Sequence, residues 1–461
     1  MADLTATITT PDAATKGGNS IAERLDRLSL TSLHVKVILL CTAGLAVDIG
    51  EVALSNTFSA IFLSPPYNAP RDSISLLLGA VFAGGAAGAP LFGWFADRYG
   101  RRAALQLSLL ALVISSLAVA SSPSIGWMML FRFVSGLALG GYPPLTAAYL
   151  ADLLPPQRRG TNMMLCAAFA FLGAPALIFL IRWLTPLAPL SMEGWRWALV
   201  VAAAFSALTA ALFFRVPESP RWLAAVSRNE EAEQSFRRFR AAMRESAEPF
   251  LYVPAKPARV SSVATDDAAR PQPYFRRVVF LAALYGLGPW ATIGFPPLSA
   301  TIMLQKGFRV GDSLLFAGLS MLGPTIGITI LAFLFDRIER RIALILCAAT
   351  LVLLGLAFDL GSTLTLLVLL GFGFNLASAA YSALLSIYGA ELFPTDRRAL
   401  ATSAGWGVGR IVSAFVPIAL LPLLATQGPI AMFGVITVVL LVSIFLIAVA
   451  GPPGLARKPV E

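Results

Sequence analysis

Charged residues are scarce in this chain. They make up 13% of its 461 residues, while hydrophobic residues make up 57% and the mean hydropathy is +0.76. A soluble globular protein carries roughly 25% charged residues. The charges here are too few to cover a surface that faces water, so an ordinary soluble domain is excluded. We predict that most of the chain is surrounded by lipid.

Histidine and cysteine are nearly missing as well. His34 is the only histidine, which excludes a histidine-based catalytic triad and a metal site built from several histidines. Cys41, Cys166 and Cys347 all fall in apolar segments, with no metal-ligand spacing and no suggested pairing. The sequence also shows no phosphate-binding loop, so we expect no ATP hydrolysis. We predict neither an enzyme nor a bound cofactor or metal.

Long apolar runs are abundant. A helix that crosses a bilayer needs about 20 mostly apolar residues. The sequence predicts an all-α membrane protein with twelve such helices, at 36–62, 73–96, 103–121, 125–150, 160–183, 195–214, 277–303, 312–335, 342–360, 363–390, 398–424 and 428–450.

A polar stretch in the middle divides these helices six plus six. We predict the following parts: a cytoplasmic tail at 1–35, an N-terminal bundle at 36–214, a central cytoplasmic loop at 215–274, a C-terminal bundle at 275–450 and a tail at 451–461. The chain does not begin like a secretory signal, and we expect its first thirty or so residues to be disordered. Ala, Glu and Arg across 221–245 predict short amphipathic helices, which we expect to act as a latch between the halves.

The distribution of basic residues predicts the orientation. With the N-terminus in the cytoplasm, 28 of the 35 Lys and Arg fall in inner segments and five in outer ones, as the positive-inside rule requires. Both termini are then cytoplasmic. A net charge of +10 would suggest nucleic acid in a soluble protein, but here the charge is explained by topology. We expect the lipid bilayer as a partner and no nucleic acid.

The two halves are related by an internal repeat. The segment 97–102 reads DRYGRR and 336–341 reads DRIERR; the segment 152–159 reads DLLPPQRR and 391–398 reads ELFPTDRR. Both pairs are separated by 239 residues. Two unrelated coincidences would not share one offset, so the halves are a duplication in parallel orientation. Transporters that rock two bundles about a central site are built in this way.

Three motifs resemble those of one family. The segment 93–102 (GWFADRYGRR) is similar to the signature loop between the second and third helices of the major facilitator superfamily, and 132–140 (RFVSGLALG) to its fourth-helix pattern. The segment 217–223 (PESPRWL) resembles the motif after the sixth helix in the branch of sugar porters, organic ion transporters and aromatic-acid:proton symporters. The resemblance covers nearly the whole chain. It implies a secondary active transporter that works by alternating access, a monomer in the plasma membrane, here a bacterial inner membrane.

The chain departs from the family pattern in two places. Glu339 replaces the glycine of the signature loop in the second half, which weakens a strict equivalence of the two loops. The fifth helix carries Gly173, Ala174 and Pro175 where the antiporter branch has its glycine-proline motif. This favours a symporter or a facilitator over a drug antiporter.

Three ionisable residues within the predicted spans are candidates for proton coupling. Such residues are costly in a bilayer and usually serve function. Asp48 and Glu51 lie three residues apart on one face of the first helix. In related symporters a first-helix acid pairs with a fourth-helix arginine, and Glu51 and Arg132 match these positions. The resemblance thus implies that Glu51 carries the proton. A static ion pair is the alternative, and Asp48 could instead orient Arg132 or bond to backbone.

Arg410 is the main indication of the substrate. A guanidinium offers a fork suited to a carboxylate, and Arg410 is similar in place to the eleventh-helix arginine of organic anion transporters. Trp406 lies one turn earlier on the same face and could stack on an aromatic ring. Alternatively, Arg410 pairs with Asp48 or Glu51, or caps a helix.

Further pocket candidates lie on the seventh and tenth helices. Asn375 and Tyr381 belong to the tenth, and Tyr285 and Trp290 flank glycines and a proline in the seventh. Polar side chains in membrane helices often only bond to neighbouring helices, so this alternative stays open.

The charged residues at the inner helix ends are candidates for a cytoplasmic gate. The resemblance implies that charge pairs there hold the outward-open state, and charges near helix ends also interact with the macrodipole. Marking the topology needs positive charge but no matched acids, which favours the gate. Its candidate residues are Gly93, Asp97, Arg98, Arg101, Asp152, Arg158, Asp336, Arg340, Glu391 and Arg397.

These observations predict proton-coupled uptake of a small organic acid, an aromatic carboxylate being one candidate. The main alternative is a sugar or polyol porter, which would want several amide side chains in its cavity. Few are visible, namely Asn56, Asn162 and Asn375. A proton-independent facilitator and a transporter-like receptor are further alternatives.

Overall fold

A computed structural model describes residues 20–156, 159–245, 274–334, 339–393 and 395–452. Over these ranges the chain folds into helices joined by short loops, with no strand. The all-α membrane fold predicted from the sequence is confirmed.

The described residues of the first half and the central loop form ten helices. They are α1 (Ile21–Asp26), α2 (Ser32–Phe62), α3 (Arg71–Tyr99), α4 (Arg101–Ala120), α5 (Ile125–Leu153), α6 (Arg159–Ala170), α7 (Gly173–Leu184), α8 (Gly194–Leu212), α9 (Pro220–Ala225) and α10 (Asn229–Glu245). Short 3-10 turns cover Pro189–Ser191 and Phe213–Arg215.

Seven more are formed by the described residues of the second half. They are α11 (Tyr274–Thr292), α12 (Ser299–Gln305), α13 (Val310–Ser320), α14 (Gly323–Leu334), α15 (Arg340–Leu360), α16 (Leu364–Glu391) and α17 (Thr395–Ala450), with a 3-10 turn at Pro296–Leu298.

The last helix accounts for two predicted spans. α17 has 56 residues, or about 84 Å at about 1.5 Å per residue, whereas the hydrocarbon core is about 30 Å thick. Gly428 interrupts it with φ 81 and ψ −177, between the predicted helices 398–424 and 428–450. With this break, the eleven apolar helical stretches long enough to cross a membrane provide the twelve predicted spans.

Helix starts confirm the repeat. α3 and α13 begin at Arg71 and Val310, 239 residues apart, and α4 and α15 begin at Arg101 and Arg340, again 239 apart. The start of α16 likewise lies 239 residues after that of α5. The offset found in the charged motifs therefore applies to whole helices.

The contacts between the halves follow the same symmetry. α3 packs against α17, while α6 and α7 pack against α14 and α13. Adding 239 residues maps α3 onto α13 and α14, and maps α6 and α7 onto the first part of α17. The repeat therefore exchanges the two contacts, as expected for a pseudo-two-fold axis between the halves. A central cavity lies at this interface.

The expectation of a disordered start is wrong from residue 20 onward. The Ser20 hydroxyl caps α1 by accepting a hydrogen bond from the Glu23 backbone N–H at 3.2 Å. Arg24 binds Glu233 of α10 through two hydrogen bonds of 2.8 and 3.0 Å. Leu25 is buried beneath them. The tail is polar overall, but the buried Leu25 and the ion pairs of Arg24 with Glu233 and of Asp26 with Arg221 hold this turn.

The amphipathic helices predicted over 221–245 are present as α9 and α10. They pack on α1, α2 and α5 of the first half. Their role as a latch between the halves stays a prediction.

Candidate functional site

Glu51 and Arg132 form a buried ion pair between α2 and α5. Arg132 Nη1 lies 3.1 Å from Glu51 Oε2, and Nη2 donates to the Glu51 backbone oxygen at 3.0 Å. Ser116 of α4 donates to the other carboxylate oxygen at 2.6 Å. Both charged side chains are 1% exposed. The predicted pair therefore exists, within the first bundle and apart from the residues that line the central cavity.

Asp48 occupies a different environment from Glu51. It lines a cavity of about 320 Å³ between the halves, as does Arg410 of α17. The two charges interact electrostatically across this cavity, but they do not form an ion pair within 4.0 Å. Asp48 Oδ1 and Arg410 Nε are both buried and have no hydrogen-bond partner among the described residues. The alternative in which Asp48 orients Arg132 receives no support from these contacts.

Aromatic side chains surround Arg410. Its guanidinium carbon lies 4.9 Å from the centre of the Trp406 ring, within the range of cation–π attraction. Tyr285 of α11 packs edge-on against Trp406, with the ring centres 6.4 Å apart. All three side chains line the cavity. An arginine held on a tryptophan, with no hydrogen-bond partner for its polar edge among the described residues, is arranged to bind an anion.

Asn375 and Tyr381 of α16 also line the cavity, but their polar groups are engaged elsewhere. The Asn375 amide donates to the Gly371 carbonyl oxygen at 3.0 Å, and the Tyr381 hydroxyl bonds to Ser443 at 2.8 Å. They contribute shape and, for Asn375, the amide oxygen.

Trp290 is not among the cavity-lining residues. It is partly buried and packs against the hydrophobic core. Trp290 lies five positions after Tyr285, so its side chain is rotated about 140° around α11 from that of Tyr285. Its assignment to the pocket is corrected on this ground.

Three of the gate candidates in the first half form charge contacts with one another. Asp97 and Arg101 are paired at 2.5 Å, and Arg101 Nε lies 4.0 Å from Asp152. Arg98 lies over the ring of Tyr99. A Cβ on Gly93 would meet no described atom within 4 Å, so the helix surface beside it is free in this conformation.

Several of the other gate candidates, in both halves, lie outside the described residues. Arg158 and Asp336 belong to segments that the structure does not describe, and the side chains of Glu391 and Arg397 are likewise not described. Arg340 begins α15 and is buried. A gate formed by pairs between the halves stays a prediction.

Glu218 belongs to the motif at 217–223, and the sequence alone indicated no role for it. Its carboxylate accepts hydrogen bonds from the backbone N–H of Arg102 at 3.0 and 3.1 Å, where α4 begins. A negative charge at a helix N-terminus is stabilising. Gly100 adopts φ 111, and a Cβ there would lie 2.3 Å from Glu218 Oε2. The signature-loop glycine thus makes room for the motif after the sixth span.

The structure of the second half explains why Glu339 can stand in place of the signature-loop glycine. Glu339 is the N-cap residue of α15 with φ −64, a conformation open to any residue. The glycine is needed only where its φ is positive and a carboxylate docks against it.

We expect Gly100→Ala to destabilise the protein by about 1–3 kcal/mol, because it adds backbone strain at positive φ and displaces Glu218. Thermal unfolding in detergent measures the effect. Gly434→Ala is the matched control, since a Cβ at Gly434 meets nothing within 4 Å and its stability should be unchanged or slightly raised. Equal stability of the two variants would contradict this account of the loop.

Asn56 forms hydrogen bonds between the two halves that the sequence did not predict. Its amide nitrogen donates to the Ser299 hydroxyl at 3.0 Å, and its amide oxygen accepts from the Ala300 backbone N–H at 3.0 Å. Ser59 adds a hydrogen bond to the Pro297 carbonyl oxygen at 3.2 Å. Asn56 therefore caps α12 across the interface between the halves. We call this group of residues 56, 59, 297, 299 and 300 the amide clasp.

The clasp lies at one end of the central cavity, beside the break between α11 and α12. Asn56, Ser59 and Ser299 are all fully buried. By the predicted orientation, this end faces the outside. A polar residue in an apolar run could have indicated such a contact, but its partner lies 243 residues away.

Two repeated helical bundles with a cavity between them that holds a cation and an acid are the architecture of a membrane transporter. Residues 47–453 match the family described as sugar (and other) transporter. The chain belongs to this family, and it is a multi-pass transporter of the major facilitator superfamily, as its motifs predicted. The family consists of transporters and not of enzymes.

Relatives align over most of the chain. The inner membrane metabolite transport protein YgcS of Escherichia coli (strain K12) is 27% identical over 93% of this chain and 92% of its own. The glucose transporter GlcP of Staphylococcus epidermidis is 27% identical over 83% and 86%. Among solved structures, the xylose transporter XylE from E. coli, in a partially occluded inward-open conformation, has a TM-score of 0.70. It is 17% identical over 93% of this chain and 100% of that chain.

Proposed function

We propose that this transporter takes up a small organic acid together with protons, and that an aromatic carboxylate fits its cavity. One observation carries the proposal. The Arg410 guanidinium faces the central cavity without a carboxylate or carbonyl partner among the described residues, and it rests on Trp406. Arginine presents a planar fork that matches a carboxylate.

The surroundings of Arg410 favour an acid with an apolar body. A buried cation without a close partner is costly, and a substrate carboxylate would provide one. Trp406 and Tyr285 supply ring faces and edges beside it, and Phe82, Ile293 and Met321 add apolar lining. Aromatic rings pack against one another with a gain of about 0.5–1.5 kcal/mol beyond their buried area.

Glu51 is the proposed proton carrier. A carboxyl in a dry environment is favoured in its neutral form, while a nearby arginine favours the charged form. The Glu51 carboxylate is bound by Arg132 and Ser116, so a change in this contact would load or release a proton. Asp48 assists because, when charged, it attracts Arg410 and opposes the substrate carboxylate. A protonated Asp48 leaves Arg410 to the substrate.

A sugar or polyol is the second candidate. Ser378, Ser382 and Ser386 recur every four residues along α16 and line the cavity, and the names of GlcP and XylE refer to sugars. However, the Asn56 amide is used in the clasp, and the Asn375 nitrogen is bound within its own helix. Few free amides remain for sugar hydroxyls, which supports the acid.

A thermal-shift screen of the purified protein tests the proposal. The panel contains aromatic and aliphatic carboxylates, sugars, polyols and organic cations. A ligand at about 100 times its Kd should stabilise the fold by about 2.7 kcal/mol. We expect a shift with carboxylates that grows at lower pH, because a proton is bound with the acid. A shift with sugars alone would refute the role of Arg410 and leave the family assignment intact.

A further inference from the structure

Three basic side chains line one groove at an end of the first bundle. Lys36 of α2, Arg215 after α8 and Arg238 of α10 line it together with leucines. The groove has a volume of about 570 Å³, and none of the described residues that line it is acidic. By the predicted orientation it lies at the cytoplasmic surface. It is separate from the central cavity and shares no lining residue with it.

Within the described ranges these three cations lack counter-ions. Four other arginines of this region are paired: Arg24 with Glu233, Arg101 with Asp97, Arg221 with Asp26 and Arg228 with Glu231. Lys36 and Arg215 make no side-chain hydrogen bond or ion pair with any residue of the described ranges. Arg238 donates one hydrogen bond to the Arg215 carbonyl oxygen at 2.7 Å, which leaves its charge uncompensated. Three positive charges around one groove call for an anion.

The groove continues into the lipid-facing surface. Leu39 and Leu212 line it, and Phe205 and Leu208 lie above Leu212 at helical spacing on the same face of α8. Phe205, Leu208 and Leu39 are 45%, 56% and 61% exposed. An apolar strip thus begins where the basic residues end. A free inorganic anion would leave this strip without a partner, whereas a phospholipid would cover both parts.

We propose that this groove is a binding site for an anionic phospholipid, with its phosphate among Lys36, Arg215 and Arg238 and an acyl chain along Leu39, Leu212 and Leu208. Basic residues close to the surface of a charged membrane contribute roughly equal increments of attraction. Three converging charges distinguish this lipid from zwitterionic ones. The lipid would join α10 to α2 and α8, because Arg238, Lys36 and Arg215 come from these three parts of the chain.

Native mass spectrometry and thermal shift in detergent test the site. The probes are phosphatidylglycerol, phosphatidylcholine of the same chain length, and inorganic phosphate. We expect saturable binding and stabilisation with phosphatidylglycerol only. The double variant Lys36→Gln/Arg215→Gln should bind it at least about tenfold more weakly. Neither side chain bonds within the described protein, so the variant should fold.

Arg240→Gln is the matched control. Arg240 is an exposed arginine on α10, the helix of Arg238, but it lies outside the groove. Its loss should leave phosphatidylglycerol binding unchanged. Equal weakening by Arg240→Gln would overturn the proposal in favour of general surface charge. Equal binding of phosphatidylcholine, or the same stabilisation by inorganic phosphate, would also overturn a site for an anionic lipid.

Discussion

Arg410→Ala is expected to abolish saturable binding of the acid. Removing one partner of a buried, hydrogen-bonded charge pair costs about 2–5 kcal/mol, so the Kd should rise at least about thirtyfold. The variant also leaves Asp48 without the opposite charge it faces across the cavity. Thermal shift and equilibrium binding with the carboxylate found in the screen measure the loss.

Two companion variants make this result specific. Arg410→Lys keeps the charge but loses the fork, so it should bind with an intermediate affinity. Ser413→Ala alters the same cavity one turn along α17, and among the described residues the Ser413 hydroxyl bonds only to the Gly409 carbonyl oxygen. Its affinity should be close to that of the parent protein. Retained affinity in Arg410→Ala would assign this arginine a structural role.

Glu51→Gln is expected to abolish accumulation of the substrate against its gradient while exchange across the membrane continues. Glutamine has the shape of the carboxylic acid and can still contact Ser116, but it cannot take up or release a proton. Arg132 would lose its charged partner. Uptake into proteoliposomes, with and without an imposed proton gradient, separates accumulation from counterflow.

Ser116→Ala provides the matched control for coupling. It removes the 2.6 Å hydrogen bond to Glu51 and keeps the carboxylate, so proton-driven accumulation should persist. Accumulation at the parent level in Glu51→Gln would exclude Glu51 as the carrier. Loss of both accumulation and exchange in a variant of normal thermal stability would favour the static ion pair.

The sequence predicted the spans and the repeat because both depend on local composition. Apolar length determines which segments cross the bilayer, and the charged motifs repeat at the offset that the helix starts share. The interruptions of the fifth, seventh and eighth spans were not predicted. They depend on tertiary contacts, such as Gly173 packing against the Ala46 carbonyl and Asn56 capping α12.

The candidate site was predictable where charge is rare. Asp48, Glu51, Arg132 and Arg410 attract attention because each is costly in lipid. The sequence did not show that Glu51 pairs directly with Arg132 whereas Asp48 faces Arg410 across the cavity. Asp48 and Glu51 lie within about 60° of each other on one helix face, so their surroundings could not be told apart. Trp290 was wrongly assigned to the pocket because the neighbouring glycines and proline do not indicate which side of the helix its ring occupies.

The structure also separates two kinds of contact along the transport path. The amide clasp at one end joins neutral groups, a carboxamide, two hydroxyls and backbone, all shielded from solvent. The cluster at the opposite end consists of charged side chains such as Asp97, which is 73% exposed. Salt screens exposed charges and hardly affects buried neutral hydrogen bonds. If the predicted cytoplasmic gate forms between the halves, we therefore expect changes in ionic strength to act on that gate and to leave the amide clasp unaffected. The balance between inward- and outward-facing states would then depend on the cytoplasmic salt concentration.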